Sequence, residues 1–161
     1  MTQQSSAIVV ADTTPLITLA GAGAIDLLHL VFGEVHIPEQ VWNEYEKFRT
    51  QMTLPDLSEA TWLHRHQVTI APPFSPLDEG EAAALTLAQS LNAKIIRIDE
   101  RKGRKAATAA QLPIMGTLGL LLRAKQEGHV AAIKPIIDQF ARLNRYYSPH
   151  LIAQTLQAAG E

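Results

Sequence analysis

The chain has 161 residues, of which 47% are hydrophobic and 19% charged, with a net charge of −2 and no cysteine. This length is typical of one domain that can bury a substantial core. The missing cysteines exclude disulfides, cysteine-bound zinc and thiol catalysis. The charge argues against a high-affinity, sequence-specific DNA binder but is compatible with an enzyme that has a local basic groove. The first residues, MTQQSS, carry no Lys or Arg, so we expect no secretory signal. No apolar run reaches the roughly 18 residues of a membrane span, which favours a cytoplasmic protein without a membrane anchor.

The first third of the chain predicts alternating strands and helices. The apolar, β-branched stretch 7–11 is typical of a short buried strand. Thr14 and Pro15 have the pattern of an N-cap followed by proline at the first helical position, which predicts a helix to about residue 20. Apolar periodicity then predicts a helix over 24–32, a strand over 34–37 and a helix over 38–48.

The rest of the chain continues this alternation after one less regular stretch. Between residues 50 and 76 the pattern favours a short helix at 54–63 and a short strand at 68–71. Beyond it we predict strands over 93–99 and 112–115 and helices over 77–91, 101–111, 117–128, 135–146 and 149–160. Strands that alternate with helices over short links indicate an α/β domain with a mainly parallel sheet.

Two predicted strands end in carboxylates. Asp12 follows the first strand, and Asp99 ends the strand over 93–99. Because the carboxyl ends of parallel strands meet at one edge of a sheet, both acids are expected at the edge where ligand sites form.

Two predicted helices also carry an acid on or beside an apolar face. At 100° per residue, Glu81 falls inside the stripe that contains Leu85 and Ala88. A carboxylate that faces a core is costly unless it is paired or bound to a cation. Glu44 lies at the edge of a weaker stripe that contains Val41, so it is the second helical candidate.

Four acids in one place require compensation of their charge. Two like charges 4 Å apart repel by about 4 kcal/mol at an effective dielectric near 20. With oxygen ligands and no cysteine, the compensating ion is expected to be Mg²⁺ or Mn²⁺ rather than zinc. Such a site suits phosphodiester hydrolysis, since the ion can bind the phosphate and activate water.

Six stretches carry a family resemblance. VVADTTPL, VFGEVHIP, IPEQVWNE, LDEGEAAALTLA, IIRIDERKGR and MGTLGLLLRAKQEG occur in this order across nearly the whole chain. Together they resemble the PIN domain family, most closely a PIN-like branch of unknown function described as predicted nucleic-acid-binding proteins. The resemblance implies a single three-layer α/β/α domain over 1–161, in which residues from about 117 form a C-terminal helical extension.

The resemblance also implies an activity and partners. PIN domains are mostly metal-dependent ribonucleases, and many are toxins neutralised by a small antitoxin protein. This implies cleavage of single-stranded RNA, a divalent ion, a possible antitoxin and a homodimer.

By position, the resemblance assigns roles to named residues. It makes Asp12, Glu44, Glu81 and Asp99 the catalytic acids, with Mg²⁺ or Mn²⁺ held by Asp12, Glu81 and Asp99. The supporting residues that it implies are Thr13, Thr14 and Glu100. Thr117, just after the strand over 112–115, is a further supporting candidate. Glu81 stands where the family commonly has Asp, and the stretch after Asp99 is more basic than usual.

Arg101, Lys102, Arg104 and Lys105 form the densest basic run. They are either a solvated helix face or a patch that follows RNA phosphates beside the acids. The two histidines of HRH at 64–66 could chelate a metal, but no third ligand is evident.

Plainer interpretations stand beside each role. Asp12, Asp99 and Thr117 could be helix caps, Glu81 could pair with a buried cation, and Glu44 could be a surface glutamate. The whole protein could instead be a PIN-like module that binds RNA or a protein without cutting. A phosphotransfer enzyme with Asp12 as phosphate acceptor is a further alternative.

Overall fold

A computed structural model describes residues 8–98 and 101–161 of the chain. These residues form one sheet of five parallel strands in the order β3-β2-β1-β4-β5. The strands are β1 (Val9–Ala11), β2 (Val35–Pro38), β3 (Leu63–His66), β4 (Ile95–Arg97) and β5 (Ile114–Met115). The predicted mainly parallel α/β architecture is confirmed.

Eight α-helices occur in the same part of the chain. They are α1 (Thr13–Gly21), α2 (Asp26–Phe32), α3 (Glu39–Met52), α4 (Glu79–Ser90), α5 (Arg101–Ala109), α6 (Thr117–Gln126), α7 (Lys134–Phe140) and α8 (Pro149–Ala158). Helix α4 contacts α3, α5 and the three central strands, whereas α2 contacts α6, which in turn contacts α8. Helices therefore cover both faces of the sheet, which gives the three-layer α/β/α arrangement that the resemblance implies.

The central strand β1 is buried from end to end. Val9, Val10 and Ala11 in β1 are each at most 1% exposed, and Ile96 of β4 is equally buried. Continuous burial is what helices on both faces of a parallel sheet impose, and it explains the unbroken apolar runs in the sequence. Asp12 comes directly after such a run.

The start of α1 differs from the prediction. Asp12, not Thr14, is the N-cap: its backbone is extended, and its side chain accepts a hydrogen bond from the Thr13 N–H. Pro15 is consequently the third helical residue. It is tolerated there because the first N–H groups of a helix have no intrahelical partner.

The irregular stretch also differs from the prediction. Residues 54–62 form turns and irregular backbone rather than a helix, and the Asp56 carboxylate accepts a hydrogen bond from the Ser58 N–H at 2.9 Å. Such a local turn offers the backbone an alternative to helical hydrogen bonds.

Residues 68–71 do not form the predicted strand; the strand of this region is β3, which precedes them. The segment after β3 is held by side chains: Gln40 donates to the Val68 carbonyl, and the Thr86 hydroxyl accepts from the Ala71 N–H. These bonds use backbone groups that a ladder would otherwise need.

Among the described residues, no single helix is long and apolar enough to cross a membrane. Helices α1 and α2 reach that length and composition only together, as a pair bent by 116°.

Candidate functional site

Asp12 lies at the carboxyl end of β1. Its N–H donates to the Arg97 carbonyl at 3.1 Å, which extends the β1–β4 pairing by one residue. Its carboxylate accepts from the Thr13 N–H at 2.7 Å, and the residue is 4% exposed. The cap interpretation of Asp12 is thus correct, and it places the carboxylate at the predicted edge of the sheet.

Thr13 connects this edge to α3. Its hydroxyl donates a 2.5 Å hydrogen bond to Glu44 Oε2, although the two residues are 31 positions apart. The other carboxylate oxygen of Glu44 accepts from the Gly80 N–H at 3.1 Å. Glu44 is half-buried, so it is not an ordinary surface glutamate. Its carboxylate ties the first residue of α1 to the first turn of α4.

Gly80 makes this contact possible. A Cβ added at Gly80 would stand 2.5 Å from Glu44 Oε1 and 2.7 Å from Oε2, closer than real side chains approach. Any other residue would push the Glu44 carboxylate away from the α4 N-terminus, where the aligned peptide dipoles favour negative charge.

Glu81 follows Gly80 and turns inward. It is 5% exposed, whereas Glu79 is exposed, as the helical periodicity predicts. Its carboxylate lies against Gly103 of α5, and a Cβ added there would overlap Glu81 Oε1 and approach Ile98 Cγ2 at 3.0 Å. Gly103, which helix propensity alone marks as a weak point, is therefore where two helices close around a carboxylate.

These contacts form one connected path. It runs from Asp12 through Thr13, Glu44 and Gly80 to Glu81. We call the three carboxylates the acidic rim (Asp12, Glu44 and Glu81). The Glu44 carboxylate thus connects the residue after Asp12 with the residue before Glu81, whereas the Glu81 carboxylate itself lies against Gly103.

Two predicted site residues, Asp99 and Glu100, lie outside the described residues. Within 8–98 and 101–161, no three Asp, Glu or His side chains have the spacing to hold a metal ion. The predicted four-acid cluster therefore includes one member of which the structure says nothing.

The donor chemistry of the acidic rim nevertheless fits a hard divalent cation. The rim offers carboxylate oxygens without sulfur or imidazole, a set suited to Mg²⁺ or Mn²⁺. Asp12 and Glu81 are both more than nine-tenths buried, and a nearby cation lowers the free energy of a buried carboxylate.

The two other threonines of the prediction occupy helix starts. Thr14 is the second residue of α1 and is partly buried. Thr117 is the first residue of α6 and is fully buried, while Gly116 holds the N-cap position. The cap interpretation of Thr117 is therefore wrong by one residue.

The basic run lies on the outer face of α5. Arg101, Lys102, Arg104 and Lys105 are all exposed, whereas Gly103 and Ala107 face inward. No ion pair involves these four cations in the part of the chain that the structure describes. A cavity of about 530 Å³ is lined by Arg101, Arg104, Lys105, Thr108 and Ile114.

Arg97, which the sequence places on a strand where it could pair with a carboxylate, is buried beside the site. It is fully buried in β4, and its Nη1 donates to the carbonyls of Met115 and Gly116 at 2.7 and 2.8 Å. It fixes the end of β5 against the edge where Asp12 lies. The signal for its burial in the sequence is its position within an otherwise apolar strand.

Comparison with known proteins adds one match. A family model described as a PIN domain matches residues 8–161, a range that contains every candidate site residue. None of the curated proteins matches the chain.

Proposed function

The chain belongs to the PIN domain family, whose fold is of the nuclease type, and from this premise we propose that it is a metal-dependent endoribonuclease. Its substrate is single-stranded RNA, and its reaction is hydrolysis of phosphodiester bonds. The observation that supports the proposal is the hydrogen-bonded link from Thr13 through the Glu44 carboxylate to the Gly80 N–H, because it connects the residue after Asp12 with the residue before Glu81.

The four acids have different roles in the proposed site. Asp12, Glu81 and Asp99 would hold Mg²⁺ or Mn²⁺, with Glu100, the residue after Asp99 in the sequence, as a supporting acid. The ion would supply charge neutralisation at the phosphate and a more acidic water. Glu44 is the fourth acid: its oxygens bind the Thr13 hydroxyl and the Gly80 N–H, so it positions Asp12 relative to Glu81.

The reaction needs a base as well as charge compensation. A water oxygen forms a bond to phosphorus while the bond from phosphorus to the leaving ribose oxygen breaks, and the leaving oxygen takes a proton from solvent water. An ionised carboxylate of the acidic rim accepts the proton of the attacking water. Thr14, in the first turn of α1, contacts the phosphate, while Thr117 supports the site from the start of α6. The cations of α5 attract the RNA backbone.

The same proposal extends to partners. We propose that the protein acts in the cytoplasm as the toxin of a toxin–antitoxin pair, is inhibited by a small protein and forms a homodimer. The support is the family resemblance. Co-purification with the product of a small neighbouring gene, and light scattering of the purified protein, test these two points separately.

The first experiment is an RNA cleavage assay with matched variants. The purified protein is incubated with mixed-sequence single-stranded RNA in Mg²⁺, Mn²⁺ or EDTA. Asp12→Asn is expected to reduce cleavage on the order of 100-fold or more, while Asn retains the helix cap. Glu81→Gln is expected to behave likewise, whereas Glu79→Gln, two residues away on the exposed face, keeps full activity.

Circular dichroism of each variant shows whether the fold is retained. Cleavage that survives in folded Asp12→Asn, or that persists in EDTA, contradicts the proposal.

A binding module without catalysis is the second candidate. The observation that favours it is that both Glu44 oxygens already accept hydrogen bonds from the protein. RNA that is retained in EDTA, with no product in either metal, would support this candidate over the nuclease.

A further inference from the structure

A second groove opens on the outer side of α5. It has a volume of about 840 Å³ and lies between α5, the start of α6 and the segment that leads into α8. Helix α5 contributes one wall, with Arg101 and Arg104, and the C-terminal segment contributes another, with Tyr146 and Leu151. The start of α6 adds Gly116 and Leu118 to the lining. We call it the α5–α8 groove.

The groove adjoins the acidic rim. Asp12 follows β1, Gly116 follows β5, and β4 lies between these strands in register. Two strand spacings separate the two positions, which is about 10 Å. Helix α5 contributes to both places, because Gly103 packs against Glu81 while Arg101 and Arg104 line the groove.

The two walls differ in chemistry. One carries guanidinium groups, and the positive surface continues into the neighbouring cavity, which shares Arg101 and Arg104 and adds Lys105. The other carries Tyr146, which is 77% exposed, the highest value among the large hydrophobic residues described. Tyr147 beside it packs on Phe140, with ring centroids 5.7 Å apart.

A groove lined both by guanidinium groups and by an exposed aromatic ring matches one class of ligand. Proteins that bind single-stranded nucleic acid combine a positive groove for the backbone with aromatic rings on which bases stack. A base within a duplex is already stacked on its neighbours, so only an unpaired base can lie on Tyr146. An apolar partner helix would leave the two guanidinium groups without compensation.

We propose that the α5–α8 groove is a subsite for single-stranded RNA, in which a base stacks on Tyr146 and adjacent phosphates bind Arg101 and Arg104. The inference rests on the proposed function and adds a reason for single-strand preference. It also gives the C-terminal segment a role, since that segment supplies the aromatic wall.

Binding is tested apart from cleavage. The probe is a fluorescein-labelled single-stranded RNA of mixed sequence, and its anisotropy is measured in EDTA with the full chain. Tyr146→Ala is expected to weaken binding on the order of 5- to 100-fold, whereas Tyr146→Phe keeps the ring and the affinity. Arg142→Ala, an exposed arginine that does not line the groove, is the control and leaves binding unchanged.

Salt dependence separates the two walls. Arg104→Ala is expected to weaken binding and to reduce the slope of affinity against salt concentration, because one fewer counterion is released. Tyr146→Ala is expected to leave that slope unchanged. A duplex of the same length is expected to bind Tyr146→Ala and the wild type equally.

The outcomes distinguish this inference from the proposed function. Wild-type affinity of Tyr146→Ala for the single strand overturns the subsite, even if RNA is cleaved at the acidic rim. Tyr146-dependent binding without cleavage in any metal supports the subsite and contradicts the nuclease. Absence of RNA binding by the wild type overturns the subsite and leaves the groove as a surface for a protein partner.

Discussion

At the scale of single residues, two glycines shape the acidic rim by lacking a side chain. Gly80 admits the Glu44 carboxylate, and Gly103 admits that of Glu81. Neither position has a positive φ, so their role is to leave space rather than to allow an unusual backbone. This role is invisible in the sequence, since each glycine contacts an acid more than 20 positions away.

Gly103→Ala tests this role against helix propensity. Propensity alone predicts stabilisation by up to about 1 kcal/mol. We expect destabilisation by about 1–3 kcal/mol instead, because the new methyl group overlaps the buried Glu81 carboxylate. Urea unfolding measures the difference.

Gly119→Ala is the matched control on α6. A Cβ there meets only the Met115 side chain at 3.3 Å, which can move. We expect unchanged or higher stability for this variant. Stabilisation of Gly103→Ala to the same extent would show that the Glu81 carboxylate does not need the space.

Three histidines on β2 and β3 predict a pH dependence. His36 Nδ1 lies 2.8 Å from His66 Nε2, and the His36 and His64 rings stack with centroids 5.0 Å apart. Burial, followed by the neighbouring His66 and His64, lowers the pKa of His36 below its usual value. Burial and His64 lower the pKa of His66.

The sign of the effect follows from proton binding. Between the lowered pKa values and about 6.5, the unfolded chain binds more protons than the folded chain. The free energy of unfolding is therefore expected to be highest above about pH 6.5 and to fall as the pH decreases below it. Urea unfolding at a series of pH values should show a smaller decrease for His36→Asn, and an equal decrease would contradict the assignment.

At the scale of elements, a single carboxylate joins the C-terminal helices. Glu161 accepts hydrogen bonds from the Ile133 and Lys134 N–H groups, at 2.9 and 3.0 Å, and from Lys125 Nζ at 3.0 Å. The bond from Ile133, with those from Lys134 and Lys125, lowers the pKa of Glu161 to about 2. The side chain thereby holds the start of α7 against α6.

Glu161→Gln is expected to lower the temperature of thermal unfolding at neutral pH. Because the folded-state pKa is depressed, this stabilisation is present above the usual glutamate pKa and is lost as the pH falls toward 2. The difference between variant and wild type should therefore shrink in acid. Glu59→Gln, an exposed glutamate in a turn, is the control, and a melting temperature equal to the wild type for Glu161→Gln would refute the role.

Helices and strands are predicted well from the sequence where apolar periodicity is strong. They are predicted poorly where side chains form hydrogen bonds with the backbone groups that a strand or helix would use. Helix α4 and the burial of Glu81 follow from apolar spacing alone. The strand β3 does not, because LHRH is less apolar than the neighbouring VTIA, which Gln40 and Thr86 hold outside the sheet. The first residue of α1 was misplaced because Asp12 competes with Thr14 for the cap.

At the scale of the whole molecule, the order of elements was enough to predict a parallel sheet with helices on both faces. It was also enough to place Asp12 at the carboxyl edge. The contacts among Thr13, Glu44 and Gly80 could not be predicted, because they join residues 31 and 36 positions apart. Apolar periodicity predicts which face of a helix is buried, but it does not predict which residues of other elements contact that face.

The two faces of α5 have a consequence for protein engineering. On the inward face, position 103 accepts only glycine, because the Glu81 carboxylate occupies the space that any side chain there would need. The outward cations have no ion-pair partner in the described part of the chain and so can be exchanged without repacking. A library that randomises only positions 101, 102, 104 and 105 could retune ligand preference while leaving the acids undisturbed.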